Sequence, residues 1–195
     1  MMKKVLLQAS AALFSLSLLM GASIATASAQ EATGTIEVGK IFKKKLTISV
    51  PNPSVVSSKM QVRSLAPNIS AERVFFIEST NTASIGGENI APGQETTKYD
   101  EGGAQMEIYV IETGYGTNYP NITMAGQTIS PKALEERDPY CIVNGNVALQ
   151  CPAGTTVAGY IYIIDLSGFQ SGRFTFLNRS QNNLNVTGET FLNIL

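Results

Sequence analysis

The sequence has 195 residues, with 14 basic and 15 acidic side chains, two cysteines and no histidine. Without a cationic excess the chain lacks the charge pattern of a nucleic-acid-binding protein. Without histidine it lacks every imidazole-based catalytic arrangement. Charged residues make up 15% of the chain, against about 25% in an average globular protein, which favours an extracellular β-protein over a cytosolic enzyme.

The N-terminal segment has the three parts of a secretory signal peptide. Lys3 and Lys4 form a basic head, an apolar stretch reaches about Met20, and small residues lead to a cleavage site before Gln30. The apolar stretch is shorter than the roughly 20 residues that a membrane-spanning helix needs. We therefore predict that residues 1–29 are removed, that no transmembrane segment remains, and that the protein is exported to the periplasm, cell surface or exterior of a bacterium.

The mature chain, residues 30–195, is long enough for one domain with a full hydrophobic core. It carries 12 basic and 15 acidic residues. Alternating apolar residues and β-formers, separated by glycine, proline and asparagine turns, predict an all-β fold. The spacing favours a single β-sandwich of Ig-like or Greek-key type with about eight to ten strands. The strongest strands are predicted at residues 46–50, 60–63, 74–77, 106–111, 157–166, 173–177 and 190–195.

The first residues of the mature chain form an alternating segment, residues 30–38. In an extended conformation Ala32, Gly34, Ile36 and Val38 share one face. Such a segment is able to complete the sheet of a neighbouring subunit by β-strand addition. These four residues are therefore the candidate strand-addition residues, although an ordinary first strand of the domain and a loose tail remain open alternatives.

One short helix is predicted near residues 130–138. Ser130 suits the N-cap, Pro131 suits the first helical position, and Pro139 ends the segment. The adjacent Glu135 and Glu136 are interpreted as a solvated face of this helix and not as catalytic carboxylates.

The two cysteines, Cys141 and Cys151, lie ten positions apart in a chain bound for an oxidising compartment, which predicts a disulfide. Between them Asn144 and Gly145 favour a two-residue hairpin turn. That turn places Cys141 opposite residue 148, so that either a wider loop or bulge, or a segment turning at Pro152, has to bring the sulfurs together.

Two clusters of charged residues have alternative interpretations. The acidic pair in Tyr99–Gly103 suits calcium ligation by oxygen, but such pairs mostly belong to plain loops, and no metal site or cofactor is predicted. Lys43, Lys44 and Lys45 suit contact with a polyanion or a membrane surface. They also suit an edge strand, where lysines prevent unwanted pairing of sheets, and we favour this second interpretation.

A search for catalytic residues finds none, and we predict that the protein is not an enzyme. Carboxylate-only catalysis of the glycosidase type stays open, but acidic residues are few and tryptophan is absent. The glycine pairs are not followed by the lysine and hydroxyl residue of a phosphate-binding loop.

In layout the chain resembles the pilin subunits of chaperone–usher fimbriae, which are β-sandwiches with a leading donor strand and a single disulfide. The resemblance covers architecture only, since no family motif matches and the closing residues 191–195 lack the penultimate tyrosine of many such subunits. It implies an envelope or surface structural protein that assembles with itself or with other envelope subunits.

The alternative function is a periplasmic or secreted ligand-binding module without catalytic activity. Such a module is expected to hold its ligand in a preformed pocket lined by tyrosines, for which Tyr99, Tyr109, Tyr115 and Tyr119 are the candidates.

Overall fold

A computed structural model of the chain describes residues 31–39, 43–51 and 66–195. Within these ranges the regular elements are β-strands apart from one 3-10 turn, which confirms the prediction of an all-β chain. The strands are β1 (Glu31–Val38), β2 (Lys44–Pro51), β3 (Ala71–Ser79), β4 (Glu88–Asn89), β5 (Met106–Thr113), β6 (Asn121–Met124), β7 (Gln127–Thr128), β8 (Leu134–Val143), β9 (Asn146–Ala148), β10 (Val157–Asp165), β11 (Gly172–Arg179) and β12 (Thr187–Ile194).

The strands form two sheets. Sheet A has the order β2-β1-β9-β8-β10-β5-β3-β4, and sheet B has the order β12-β11-β6-β7. Neighbouring strands are antiparallel except for β1 and β9, which meet in parallel at Thr33 and Asn146. Because that contact is a single residue pair, the β1–β2 hairpin is joined to the rest of sheet A mainly by side chains.

The first hydrophobic core lies between the two sheets. Alternate residues of β5, namely Met106, Ile108 and Val110, face sheet B, and the aromatic residues Phe174 and Phe176 of β11 face sheet A. The period of two along each strand therefore selects the residues of this core, as the sequence pattern predicts.

The second core lies on the opposite face of sheet A and shows that this sheet curls into a half-barrel. Residues of β5 that point away from sheet B, such as Tyr109 and Ile111, contact the buried face of the β1–β2 hairpin. Each branched side chain buried there contributes roughly 1.5–3 kcal/mol. The hairpin supplies six buried residues: Ala32, Ile36, Val38, Leu46, Ile48 and Val50.

A β-bulge in β3 places its two aromatic residues on the same side of sheet A. Glu72 lies opposite Glu112 and Val74 opposite Val110, but Phe76 lies opposite Tyr109, so that the register shifts by one residue at Phe75. As a result Phe75 and Phe76 both join the second core. The continuous apolar run that the sequence predicts at residues 74–77 is thus buried on both faces of sheet A.

The prediction of a short helix near residues 130–138 is wrong beyond its first turn. A 3-10 turn at Pro131–Ala133 is capped by Ser130, whose side chain accepts a hydrogen bond of 3.4 Å from the Lys132 amide. From Leu134 onward the chain is strand β8, paired with β10. Cross-strand pairing outweighs the local helix propensity of these residues.

Pro139 does not end an element but lies within β8. It pairs with Tyr160 of β10 on one side. On its other side β9 reaches only residues 141–143 of β8. Pro139 therefore occupies an edge position, where a missing backbone N–H costs no ladder hydrogen bond.

The other strand predictions are confirmed where the structure describes the residues. Those at 46–50, 74–77, 106–111, 173–177 and most of 157–166 and 190–195 fall within observed strands. The strand predicted at 60–63 and the signal peptide at 1–29 lie outside the described residues. In the described ranges we find no helix with the length and hydropathy needed to cross a membrane.

Candidate functional site

The structure places the four candidate strand-addition residues in the chain's own sheet. Strand β1 pairs along its whole length with β2, from Glu31 opposite Pro51 to Val38 opposite Lys44. Ala32, Ile36 and Val38 are buried in the second core, and Gly34 is half-buried. Exchange of this strand between subunits stays a prediction.

Gly34 is the point where β1 comes closest to β9. A Cβ atom at this position would collide with the backbone oxygen of Val147. The glycine therefore permits close approach of the two strands, which explains its place in an otherwise β-forming segment.

The outer edge of β2 has no strand beside it among the described residues. Sheet A begins with β2, which pairs with β1 alone. The Arg73 guanidinium donates a hydrogen bond of 2.9 Å to the carbonyl oxygen of Ser49, so this carbonyl points away from β1. Backbone groups of alternate residues point to the same side of a strand. The amide and carbonyl groups of Lys45 and Thr47 therefore face the same open side.

The other end of curled sheet A, formed by β3 and β4, lies across from the open side of β2. Lys44 of β2 donates a hydrogen bond of 3.4 Å to the Gly87 carbonyl, and its ammonium lies 5.5 Å from the centre of the Phe76 ring. Lys44 and Arg73 thus bridge the two ends with side chains. Since paired strands lie about 4.8 Å apart, ends that are joined by long side chains are separated by more than one strand spacing.

The gap between these ends forms a groove of about 260 Å³, which we call the edge groove. Its walls are residues 46–49 of β2, Arg73 and Phe75 of β3, and residues 89–92, which begin at the last residue of β4. The lining is mainly apolar, with backbone groups of β2 along one wall. These are the features that a groove for an extended peptide requires.

Cationic side chains surround the edge groove. Arg73 lines it, and burial lowers the pKa of this guanidinium while the charge of Glu31 opposes the shift. Lys43 and Lys45 are exposed next to the open edge. Glu31 itself accepts a hydrogen bond from the Ser49 hydroxyl. The position of β2 at a sheet edge agrees with the interpretation that the lysines protect an edge strand.

Cys141 and Cys151 are brought into contact, as free thiols. The Asn144–Gly145 hairpin turn is confirmed: both residues have positive φ angles, 52° and 78°, and Cys141 lies opposite Ala148. The chain then turns at Pro152, where its carbonyl accepts a hydrogen bond of 3.0 Å from the Thr155 amide.

This turn leaves Cys151 beside Cys141, which is buried. Burial, and next the hydrogen bond and charge of Cys141, raise the pKa of the Cys151 thiol to about 11. The two thiols therefore interact directly, and their disulfide stays a prediction.

A pair of buried carboxyl groups, Glu72 and Glu112, lies where sheets A and B meet; we call it the carboxyl pair. Glu72 of β3 is directly opposite Glu112 of β5. Both oxygens of Glu72 are buried without a donor, and Glu112 has no exposed surface. Burial raises the pKa of Glu72 to about 9, and the charges of Glu112 and Glu189 act in the same direction.

Glu112 is held by three donors. Its Oε1 accepts hydrogen bonds of 2.9 Å from the Gly116 amide and from the Tyr162 hydroxyl, and its Oε2 accepts one of 2.8 Å from Asn178 Nδ2. The Tyr162 hydroxyl in turn accepts from Arg137 Nε at 3.2 Å. The guanidinium of Arg137 also stacks on the Tyr160 ring at 3.3 Å.

The carboxyl pair was not predicted from the sequence. A signal was present, because Glu112 follows Met106, Ile108 and Val110 at the period of two and so shares their buried face. Glu72 has no such pattern before it. The pairing depends on the register between β3 and β5, which the two separate segments do not reveal.

The acidic side chains of the loop at residues 99–103 accept hydrogen bonds from other groups of the protein. Glu101 is buried and accepts hydrogen bonds from Ser79 Oγ at 2.9 Å and Thr82 Oγ1 at 2.6 Å. Burial raises its pKa, and the two hydroxyl groups oppose the shift. Asp100 accepts a hydrogen bond of 3.0 Å from the Gly102 amide. Among the described residues no group of three or more metal-ligating side chains is assembled.

The candidate tyrosines do not meet in one pocket. Tyr109 is buried, where its hydroxyl lies within hydrogen-bonding distance of the Glu78 and Glu107 carboxyl oxygens, at 3.1 and 2.8 Å. Tyr99 and Tyr119 are exposed, and Tyr115 packs edge-on against Tyr160. Neither the edge groove nor a second groove of about 260 Å³ beside β12 is lined by a tyrosine.

Comparison with known proteins gives one match. A family model described as "Domain of unknown function (DUF4879)" matches residues 53–194, which is more than half of the chain and includes β3 to β12. No curated protein matches the chain. No solved structure matches it either.

Proposed function

The chain belongs to the DUF4879 family, and we propose that it is an exported interaction protein of the bacterial cell envelope that binds an extended polypeptide segment in the edge groove. The observation that carries this proposal is the open edge of β2, whose outward backbone groups line an apolar groove. Export itself rests on the signal-peptide pattern of residues 1–29.

The energetic argument starts from the unpaired backbone groups of β2. An exposed sheet edge offers a row of N–H and C=O groups to any strand that fits beside it. A segment lying in the edge groove gains these hydrogen bonds from β2 and places alternate side chains against Leu46, Ile48 and Phe75. It also bridges toward β4, so that the two ends of sheet A are joined through backbone hydrogen bonds.

The bound segment comes from another envelope protein and carries acidic residues. The chain's own alternating segment, β1, is already paired with β2 and buried. Arg73, Lys43 and Lys45 give the edge groove a positive rim. Complementary negative charge on the partner favours encounter and fixes its register.

The finer description of the fold is part of the same proposal. We infer that sheet B and the facing half of sheet A form an Ig-like or Greek-key sandwich, to which the β1–β2 hairpin adds the curled half. The core shared by the two sheets supports this description.

The second candidate, a module that binds a small molecule, has less support. Pockets for such ligands are typically about 300–1,000 Å³ and enclosed, whereas the two grooves described above are each about 260 Å³ and open along one side.

The proposal is tested with synthetic eight-residue peptides that alternate valine with glutamate, and with matched peptides that carry lysine in place of glutamate. Binding to the mature protein is measured by fluorescence anisotropy at low and at physiological salt. We expect the glutamate peptide to bind more tightly than the lysine peptide, with a difference that shrinks as salt is added.

The substitutions Thr47→Pro and Thr47→Val are a matched pair that tests the open edge of β2. Proline removes the outward N–H of β2, whereas valine preserves it, so we expect at least tenfold weaker peptide binding for Thr47→Pro and little change for Thr47→Val. Equal binding to Thr47→Pro and wild type, or no binding of either peptide at millimolar concentration, would refute the proposal. Self-association that Thr47→Pro abolishes would instead identify a second copy as the partner.

A further inference from the structure

Two buried carboxyl groups face each other where β3, β5 and β12 meet. Glu72 and Glu112 are directly opposite on neighbouring strands, an arrangement that is destabilising when both carry charge. Neither carboxyl forms an ion pair with a cation among the described residues. Two buried carboxylates in contact are not both ionised, because each raises the cost of charging the other.

The surrounding donors decide which group keeps the proton. Gly116, Tyr162 and Asn178 donate hydrogen bonds to the oxygens of Glu112, which act as acceptors. No donor reaches either oxygen of Glu72. Glu72 is therefore the member of the pair that carries the proton.

Glu72 also connects the two sheets. Its carboxyl packs on the backbone of Gly188 in β12, where a Cβ atom would approach Glu72 Cδ within 2.5 Å. The adjacent groove beside β12 is lined by Glu72, Glu189 and Phe191 together with the loop at residues 91–95. This groove is the nearest route by which an ionised Glu72 reaches water.

Among the titratable groups around the carboxyl pair, the nearby acidic side chain further favours the protonated form of Glu72. Glu189 of β12 raises the pKa of Glu72 by its charge, and Glu95 lines the same groove. Tyr162 of β10 and Tyr140 of β8 are buried, and burial raises the pKa of both hydroxyl groups. Arg137 of β8 donates to the Tyr162 hydroxyl, and Arg73, which also lines the groove beside β12, donates to the Ser49 carbonyl.

We propose that the proton on Glu72 is a latch between sheets A and B: it keeps the carboxyl neutral between Glu112 and Gly188, and its loss opens the seam between β3 and β12. The latch is closed in acidic and neutral surroundings. When Glu72 ionises, its charge turns from Glu112 toward the groove and separates from Gly188. The seam between β3 and β12 is therefore held most strongly at acidic pH.

The direction of the pH dependence follows from linkage. The pKa of Glu72 is raised from 4.5 in an unfolded chain to about 9 in the fold. The stability that it contributes is fully present below pH 4.5 and is lost progressively as the pH rises toward 9. The chain has no histidine, and the raised pKa of Cys151 lies above this window. Glu101, whose pKa burial also raises, contributes a pH dependence of the same sign.

The test compares melting temperatures between pH 5 and pH 9 for wild type, Glu72→Gln and Glu189→Gln. We expect the melting temperature of wild type to fall with rising pH and that of Glu72→Gln to fall much less, with Glu101 responsible for the remaining slope. Glu189→Gln, which changes an exposed neighbour, should keep most of the wild-type slope. A flat wild-type profile, or an unchanged slope in Glu72→Gln, would overturn the latch.

Two measurements on the wild-type protein keep the test decisive if Glu72→Gln fails to fold. Carbon-13 NMR of labelled glutamate carboxyls should show one residue that titrates above pH 7. Hydrogen exchange, corrected for its intrinsic pH dependence, should show β12 amides losing protection before those of β5 as the pH approaches 9. Titration of every glutamate below pH 6, or uniform loss of protection, would contradict the proposal.

Discussion

Arg73 donates a hydrogen bond of 2.9 Å to the carbonyl oxygen of Ser49 and thereby joins β3 to β2 across the gap in sheet A. The strand order places these two strands near opposite ends of the sheet. This contact and the one between Lys44 and Gly87 hold the curled sheet where backbone pairing is absent.

Replacing Arg73 with glutamine should loosen the β1–β2 hairpin. A hydrogen bond that involves a charged group is worth about 1.5–3 kcal/mol, so we expect a loss of that order in the free energy of unfolding, measured in urea. The matched control is Arg179→Gln on the exposed face of β11, for which a change within about 0.5 kcal/mol is expected. Equal effects of the two substitutions would show that the bridge does not stabilise the sheet.

The substitution Ile36→Asp distinguishes two alternatives for β1: a strand of its own domain, or a donor strand for a neighbouring subunit. Ile36 is 3% exposed in the second core, so an aspartate there should destabilise the isolated monomer by several kcal/mol. Thr35→Asp places the same charge on the exposed face of β1 and should have little effect. If Ile36→Asp leaves the thermal melt unchanged but abolishes assembly in light scattering, the strand acts as a donor to a neighbouring subunit.

Cys141 and Cys151 should form a disulfide in exported protein. Their contact in the structure supports the bond, and alkylation should add two groups to the intact mass only after reduction. Loss of the bond through Cys141→Ser should lower stability by about 2–5 kcal/mol. Two free thiols in natively exported protein would refute the prediction.

The exported protein should begin at or within two residues of Gln30. The predicted cleavage site follows the small residues at the end of the predicted signal peptide, and intact-mass analysis measures the N-terminus directly. Membrane-bound material that retains Met1 would instead indicate an uncleaved anchor.

Some features of the candidate sites were predictable and others were not. Alternation identified β2 and the buried face of β1, and the Asn144–Gly145 dipeptide identified the hairpin beside Cys141, because each of these depends on neighbouring residues alone. The edge groove was not predictable. It requires β2 and β3, which are distant in sheet order, to approach through the curl of the sheet.

Local patterns were enough to predict the all-β composition of the described chain, the faces of its long strands, and the turn between β8 and β9, since a period of two and a glycine turn are local properties. Three other features depend on long-range pairing: residues 134–138 form a strand, β2 has an open edge, and Glu72 meets Glu112. These outcomes depend on which strands pair and in which register. Pairing is fixed by packing between segments far apart in the chain, where the gain from burying a whole face exceeds the local preference of a few residues.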